Sequence, residues 1–239
     1  MGDQDLKDYY GRLLSASQVV LEEASVDAEL LGKANQTIDD FKVWLEILTP
    51  RPEAVVLGHA LTESSIALYS LVSGLYRPAF GSLRLFLELA LGAIHFSVNR
   101  LELAEWLGGN YDIKWATLSD PDGGVLSHCF AKAFFPELDG HVTRYARMAS
   151  VLYRELSEFV HGNHHTWGLT QDRIFFNKGL HEMWFKEFDT AALIVSFCMC
   201  LRFLRELDTT MLPKVEDSVL GHLGHIDPIR DTFGGPSES

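Results

Sequence analysis

From Pro78 to about Val98 the chain reads as a helix that is apolar on nearly every side. Leu83, Leu85, Phe86, Leu87, Leu89, Leu91, Ile94 and Phe96 are spread around the whole turn. A helix of this kind must be covered by other helices, so this one segment points to a helical bundle with the segment near its centre. Pro78 suits its start, because the first turn of a helix does not need the missing N–H. The preceding segment, from about Glu53 to Leu75, is also apolar on most faces.

Helical periodicity dominates the rest of the chain. Amphipathic segments run from about Asp5 to Glu23 and from Asp27 to about Leu48, where Thr49-Pro50-Arg51-Pro52 stops the helix. Another runs from about Glu137 to Val160 and ends at Gly162-Asn163, and the last strong one covers about Glu187 to Thr209. Glu102–Leu107 and Val125–Phe134 read as short helices on either side of the turn Asp120-Pro121-Asp122-Gly123-Gly124. Ile174-Phe175-Phe176 and Met183-Trp184-Phe185 flank Asn177-Lys178-Gly179, which predicts a small β-hairpin near residues 173–185. With no repeat and no linker, the expected architecture is all-α. It is an up-and-down bundle of about five to six main helices over residues 1–212, carrying that hairpin. The tail, 213–239, is expected to hold one weak helical patch and to be partly disordered.

Composition narrows the function classes. A hydrophobic fraction of 47% with 22% charged residues is that of an ordinary globular protein. The net charge of −13, from 20 Lys+Arg against 33 Asp+Glu, argues against a broad phosphate-gripping surface but leaves room for a small basic pocket. Cys129, Cys198 and Cys200 suit neither a disulfide framework nor a zinc site. His161, His164 and His165 lack the regular spacing of helix-borne ligands, and His59 with Glu63 is a single pair, so no metal and no cofactor are expected. Phosphate-binding and dinucleotide fingerprints and a nucleophile elbow are absent. Met1-Gly2-Asp3-Gln4-Asp5 does not open a secretory signal, and the apolar run Ala191–Leu201 is too short to span a bilayer. A cytoplasmic protein with no membrane partner is expected.

Two polar stripes stand out. Arg84, Glu88 and His95 fall within about 40° of one another around the apolar fourth helix. A buried Arg and Glu must be paired, and these two are spaced to meet along one face. Two readings are open: an ion pair that orients the bundle, extended by His59 or Glu63, or the lining of a polar pocket that Gly81 and Gly92 open to close approach. The second stripe lies in Val151-Leu-Tyr-Arg-Glu-Leu-Ser-Glu-Phe-Val-His-Gly-Asn163. Leu152, Leu156, Phe159 and Val160 make its core arc, while Arg154 and His161 share a line roughly 180° away, flanked by Ser157 and Glu158. The plain reading is a wet helix face with a His near the C-terminal dipole. The chemical reading is phosphodiester cleavage, His161 moving a proton and Arg154 holding the phosphate. Since both residues face away from their own core, a symmetric dimer would bring two copies into one cleft.

The Arg154…His161 spacing resembles the signature of HEPN domains. The segment from Tyr76 to Leu89, with Arg84 and Glu88, together with Tyr153-x-x-Leu156-Ser157-x-x-x-His161, resembles uncharacterised bacterial relatives of that group. The resemblance spans the third helix to His161. It implies a dimeric helical bundle, metal-independent RNA cleavage by Arg154 and His161, and a supporting pocket of Arg84, Glu88, Tyr153 and Ser157. It also implies a toxin–antitoxin or phage-defence setting, with a protein partner from a neighbouring gene. The chain departs from the pattern at Glu155, where the family often has Asn or Asp. The alternative reading is a non-catalytic helical module that binds a protein or a small ligand.

Overall fold

A computed structural model describes residues 3–161, 164, 166, 170 and 173–235. The chain enters through α1 (Asp3–Ala24) and α2 (Ala28–Leu48), then forms α3 (Ala54–Val72) and α4 (Tyr76–Phe96). Three short helices follow: α5 (Arg100–Leu107), α6 (Trp115–Leu118) and α7 (His128–Phe134). The long helices α8 (Asp139–Val160) and α9 (Lys178–Phe203) come next, and α10 (Leu212–Leu223) and α11 (Asp227–Thr232) close the fold.

Helix α4 occupies the centre and packs on α3, α8 and α9. Ala79, Phe80, Leu83, Phe86, Leu87, Ala90 and Ile94 have no exposed surface. The turn into α4 is a tight helix-to-helix reversal. Gly74 sits at φ +77°, Leu75 N donates to Ser70 O at 2.8 Å, and Gly74 N donates to Leu71 O at 3.0 Å. That pairing satisfies the last carbonyls of α3. A Cβ at Gly74 would also press on Ile174 and Val20 at 3.0 Å, so glycine is required there twice over.

Aromatic contacts tie the long helices together. Phe80 of α4 stacks on Phe159 of α8 at 3.9 Å between ring centres, and Tyr145 of α8 stacks on Phe197 of α9 at 3.8 Å. Trp184 of α9 is wholly buried, and its Nε1 donates to Ala79 O at 3.2 Å, so its polar edge is satisfied where its ring fills the core. Cys198 and Cys200 lie fully buried in the same helix, where burial pushes both thiols well up; they pack as small hydrophobes. By length and composition α3 and α4 could each cross a membrane, yet 50% and 72% of their apolar windows are already buried against the rest of this fold.

One end of the bundle is held by charge. Glu53, 2% exposed, is met by Arg100 at 2.7 Å and by Arg51 at 3.6 Å. Glu206 is bridged by both Arg51 and Arg202, and Arg202 Nε donates to Ser97 Oγ at 2.8 Å. Each buried charge therefore has an opposite charge within reach, the condition for leaving it in an apolar setting.

The all-α class and the bundle agree with the sequence reading, and the hairpin does not. Among the described residues there is no strand: Ile174 to Asn177 lack regular structure, and Lys178 already begins α9. Asn177 works as a helix cap rather than a turn residue, its Oδ1 accepting from Leu180 N at 3.1 Å. Its backbone N–H is held by Tyr76 Oη at 2.6 Å. His181, Trp184, Phe185 and Phe188 then recur at helical spacing and are all buried, whereas Met183 is exposed, a pattern of period 3.6 and not of 2. The helices also outnumber the expected five to six. Residues 212–232 add two, docked through Val215, Val219, Leu223 and Ile229.

His181 has no exposed surface, and neither ring nitrogen has a hydrogen-bond partner among the described residues; Phe176 and Phe185 flank it. Burial lowers its pKa, against the weaker pull of Asp27 and Glu182, so it sits in the fold as the neutral ring. Because the folded value is depressed, the unfolded chain takes the proton first. Stability is full above about pH 6.5 and is lost as pH falls below it, by up to about 1.4 kcal/mol per pH unit. Urea unfolding of wild type and His181→Leu at pH 7.5 and pH 5 should show the variant losing less on acidification. Equal losses in the two proteins would remove His181 from the acid response.

Candidate functional site: the seam between α4 and α8

Helices α4 and α8 run antiparallel, as three contacts establish in order. Arg77 Nη2 reaches His161 O at 3.4 Å, Phe80 stacks on Phe159, and Arg84 meets Tyr153. The polar face of α4 therefore lies along the last three turns of α8. Gly81 lies opposite Val160, where an added Cβ would make only an ordinary contact at 3.9 Å. Gly92 is filled from another direction, since a Cβ there would meet Ile113 Cδ1 at 2.7 Å.

The centre of the seam is a compact charged cluster. Arg84 Nη2 donates to Tyr153 Oη at 2.6 Å and to Glu88 Oε1 at 3.2 Å, with its guanidinium 4.6 Å from the centre of the Tyr153 ring. Tyr153 lies flat on Trp115 of α6, 4.0 Å between ring centres and 5° apart. Burial pushes the Tyr153 phenol up, the Glu88 carboxylate and its hydrogen bond push it further, and Arg84 partly opposes them. The side chains of Arg84 and Glu88 each remain 16% exposed, and Arg84 Nε is buried without a partner. Three of the four residues expected to support a pocket are thus in direct contact.

The remaining residues stand apart from that cluster. Ser157 Oγ turns back to Tyr153 O at 2.6 Å, a bond within its own helix. Arg154 is exposed on α8, and His161 is exposed just past its end in extended backbone, its N–H held by Ser157 O at 3.0 Å. Among the described residues neither side chain has a hydrogen bond or ion pair. His95 also leaves the stripe assigned to it: it pairs with Glu102 at 2.7 Å and with Asn99 at 3.2 Å, while His59 of α3 packs on Trp106. Burial raises Glu102, but hydrogen bonds from Tyr111 and His95 outweigh it and hold that carboxyl low. Among the described residues no group of three or more His, Cys, Asp or Glu could hold a metal ion. Gly162, Asn163 and His165 lie outside the described residues.

Sequence reasoning missed two participants. Trp115 follows a weakly patterned stretch and gives no local sign that it will cover Tyr153. Glu187 lies on the other flank of α8, 7% exposed in the wall of a furrow with Glu155. Burial pushes its carboxyl up, the neighbouring Glu155 carboxylate adds to this, and Lys186 at 3.8 Å opposes it. The sequence places the start of the helix at about Glu187, which leaves its burial on a helix face unseen. The true start at Lys178 puts it on the buried arc between Trp184 and Ala191.

The sequence matches no protein-family model, and no curated protein or solved structure is significantly similar to it.

The cluster predicts an order of stabilities. Tyr153→Phe keeps the Trp115 stack and removes one charge-assisted hydrogen bond, costing about 1.5–3 kcal/mol. Arg84→Ala strips Glu88 of its cation and should cost at least as much, up to about 3–5 kcal/mol. Denaturant melts of both variants check the ranking; a Tyr153→Phe protein as stable as wild type would show that the Arg84–Tyr153 bond holds nothing.

Proposed function

We propose that this chain is a HEPN-like, metal-independent ribonuclease that works in the cytoplasm as a homodimer, in a toxin–antitoxin or phage-defence setting with a protein partner from a neighbouring gene. His161 moves the proton, and Arg154 holds the phosphate and balances the charge that builds on it. The observation that carries the reading is that both side chains are exposed and uncommitted on one helix. Of the α4 cations in the seam, Arg84 is already spent on Glu88 and Tyr153, and Arg77 on Thr166 and His161 O. The positions are about 10 Å apart along the axis, within reach of one phosphate and its neighbour on a single strand. The Arg84–Glu88–Tyr153 cluster supports α8 from behind.

A second reading, a non-catalytic binding module, has its own support. Neither Arg154 nor His161 lines the cavities along α8, and the acidic Glu155 and Glu158 stand between them on the helix.

The test is cleavage of single-stranded RNA by the purified protein in the presence of a chelator. Wild type should cleave, and His161→Ala and Arg154→Ala should each lower the rate by about 10²-fold or more while keeping the wild-type melting temperature. If the site is shared across a dimer, mixing the two inactive variants restores part of the activity. RNA left intact by wild type, or cut equally by His161→Ala, would favour the binding module.

A further inference from the structure

Between α8 and α9 runs a furrow made of two adjoining cavities of about 350 and 360 Å³, which share Glu155, Lys186 and Glu187. Each is within the range of about 300–1,000 Å³ typical of small-molecule sites. Phe80, Leu156, Phe159 and Met183 line the first cavity with apolar surface. The stacked Phe80–Phe159 pair makes that lining stiff, and Met183, 40% exposed, leaves it open to solvent. An apolar floor of this kind suits a hydrocarbon.

The wall of the furrow carries the opposite requirement. Glu187 is more than nine-tenths buried, and its hydrogen-bonding neighbour across the groove is another carboxyl, that of Glu155. Burial works against the Glu187 carboxylate and the Glu155 carboxylate beside it adds to the penalty, which a cation between them would relieve. Lys186 does not fill that place, because its ammonium is 3.8 Å from Glu187 on a side chain 78% exposed. Glu158 adds a third acid at the rim. A divalent metal is a poor occupant, since no third ligand completes a set among the described residues. Arg147 and Lys186 balance the two acids in the second cavity, so it is the first, with Glu155, Glu158 and Glu187 against Lys186 alone, that disfavours an anionic ligand.

We propose that this furrow binds an amphipathic amine, its ammonium lying between Glu155 and Glu187 and its hydrocarbon running along Met183 and the edge of Phe159. The ammonium offsets the repulsion between the two carboxyls, while the hydrocarbon covers the exposed part of Met183. The site does not depend on RNA cleavage, for neither His161 nor Arg154 lines it.

Calorimetric titration of the full chain at pH 7 with n-hexylamine, hexanoate and hexanol tests this. Hexylamine should bind, hexanoate should not, and hexanol should bind at least tenfold more weakly than the amine. Glu187→Gln removes a like-charge contact, so its melting temperature should hold or rise while hexylamine affinity falls at least tenfold. Glu155→Gln, on the exposed side of the pair, should weaken binding in the same direction. His161→Ala should bind hexylamine as wild type does, which separates this site from the ribonuclease reading. Absence of hexylamine binding, equal binding of hexanoate, or unchanged affinity in both glutamate variants would overturn the proposal.

Discussion

The fold depends on the need to cover α4 around most of its circumference, Leu85 alone of its large apolar side chains staying exposed. A helix with apolar residues around its whole circumference is stable in water only inside a shell, and α3, α8 and α9 make that shell. Each wholly buried Leu or Phe of α4 contributes about 1.5–3 kcal/mol relative to exposure, and α9, which buries still more residues, supplies much of the surface they pack on. The same demand fixes its neighbours. Gly74 lets α3 reverse directly into α4, Trp184 anchors α9 to the α4 backbone, and the Phe80–Phe159 stack sets how closely α8 approaches.

Burying such a helix forces a solution for every polar group carried into the interior. Arg84 and Glu88 solve it together, with Tyr153 supplied from α8. His95 solves it with Glu102 and Asn99, and Glu53 with Arg100 and Arg51. These three groupings join different helix pairs, so they orient the bundle at separate points along its length. Some polar groups are left less well served: among the described residues the buried Tyr145 Oη and Arg84 Nε have no hydrogen-bond partner. His181 must stay neutral among aromatic rings, and Glu187 faces a second carboxyl. Such exceptions are where a fold is most sensitive to pH or open to a ligand.

Helix α8 therefore presents two different chemistries on neighbouring flanks. Toward solvent it offers Arg154 and His161, a cation and a proton carrier that no internal contact restrains. Toward α9 it offers Glu155 over an apolar furrow closed by Glu187. The first flank is the one proposed for a phosphodiester and the second the one proposed for an amine. One helix can hold both because its side chains diverge by about 100° per residue.

The sequence alone determined the helical class, the central place of α4 and the pairing of Arg84 with Glu88, because periodicity and spacing along one helix are local quantities. It also located Arg154 and His161 on a polar face, since the core arc of Leu152, Leu156 and Phe159 leaves them no other side. Local pattern misread residues 173–185, where two apolar triplets around Asn-Lys-Gly look like a hairpin until Asn177 is seen capping a helix docked on Tyr76. Only the tertiary structure decided that Tyr153 would join Arg84, that His95 would leave its stripe for Glu102, and that Glu187 would meet Glu155. Each of those contacts joins residues from separate elements, and which elements meet is set by how the shell closes over α4 rather than by any spacing within one helix.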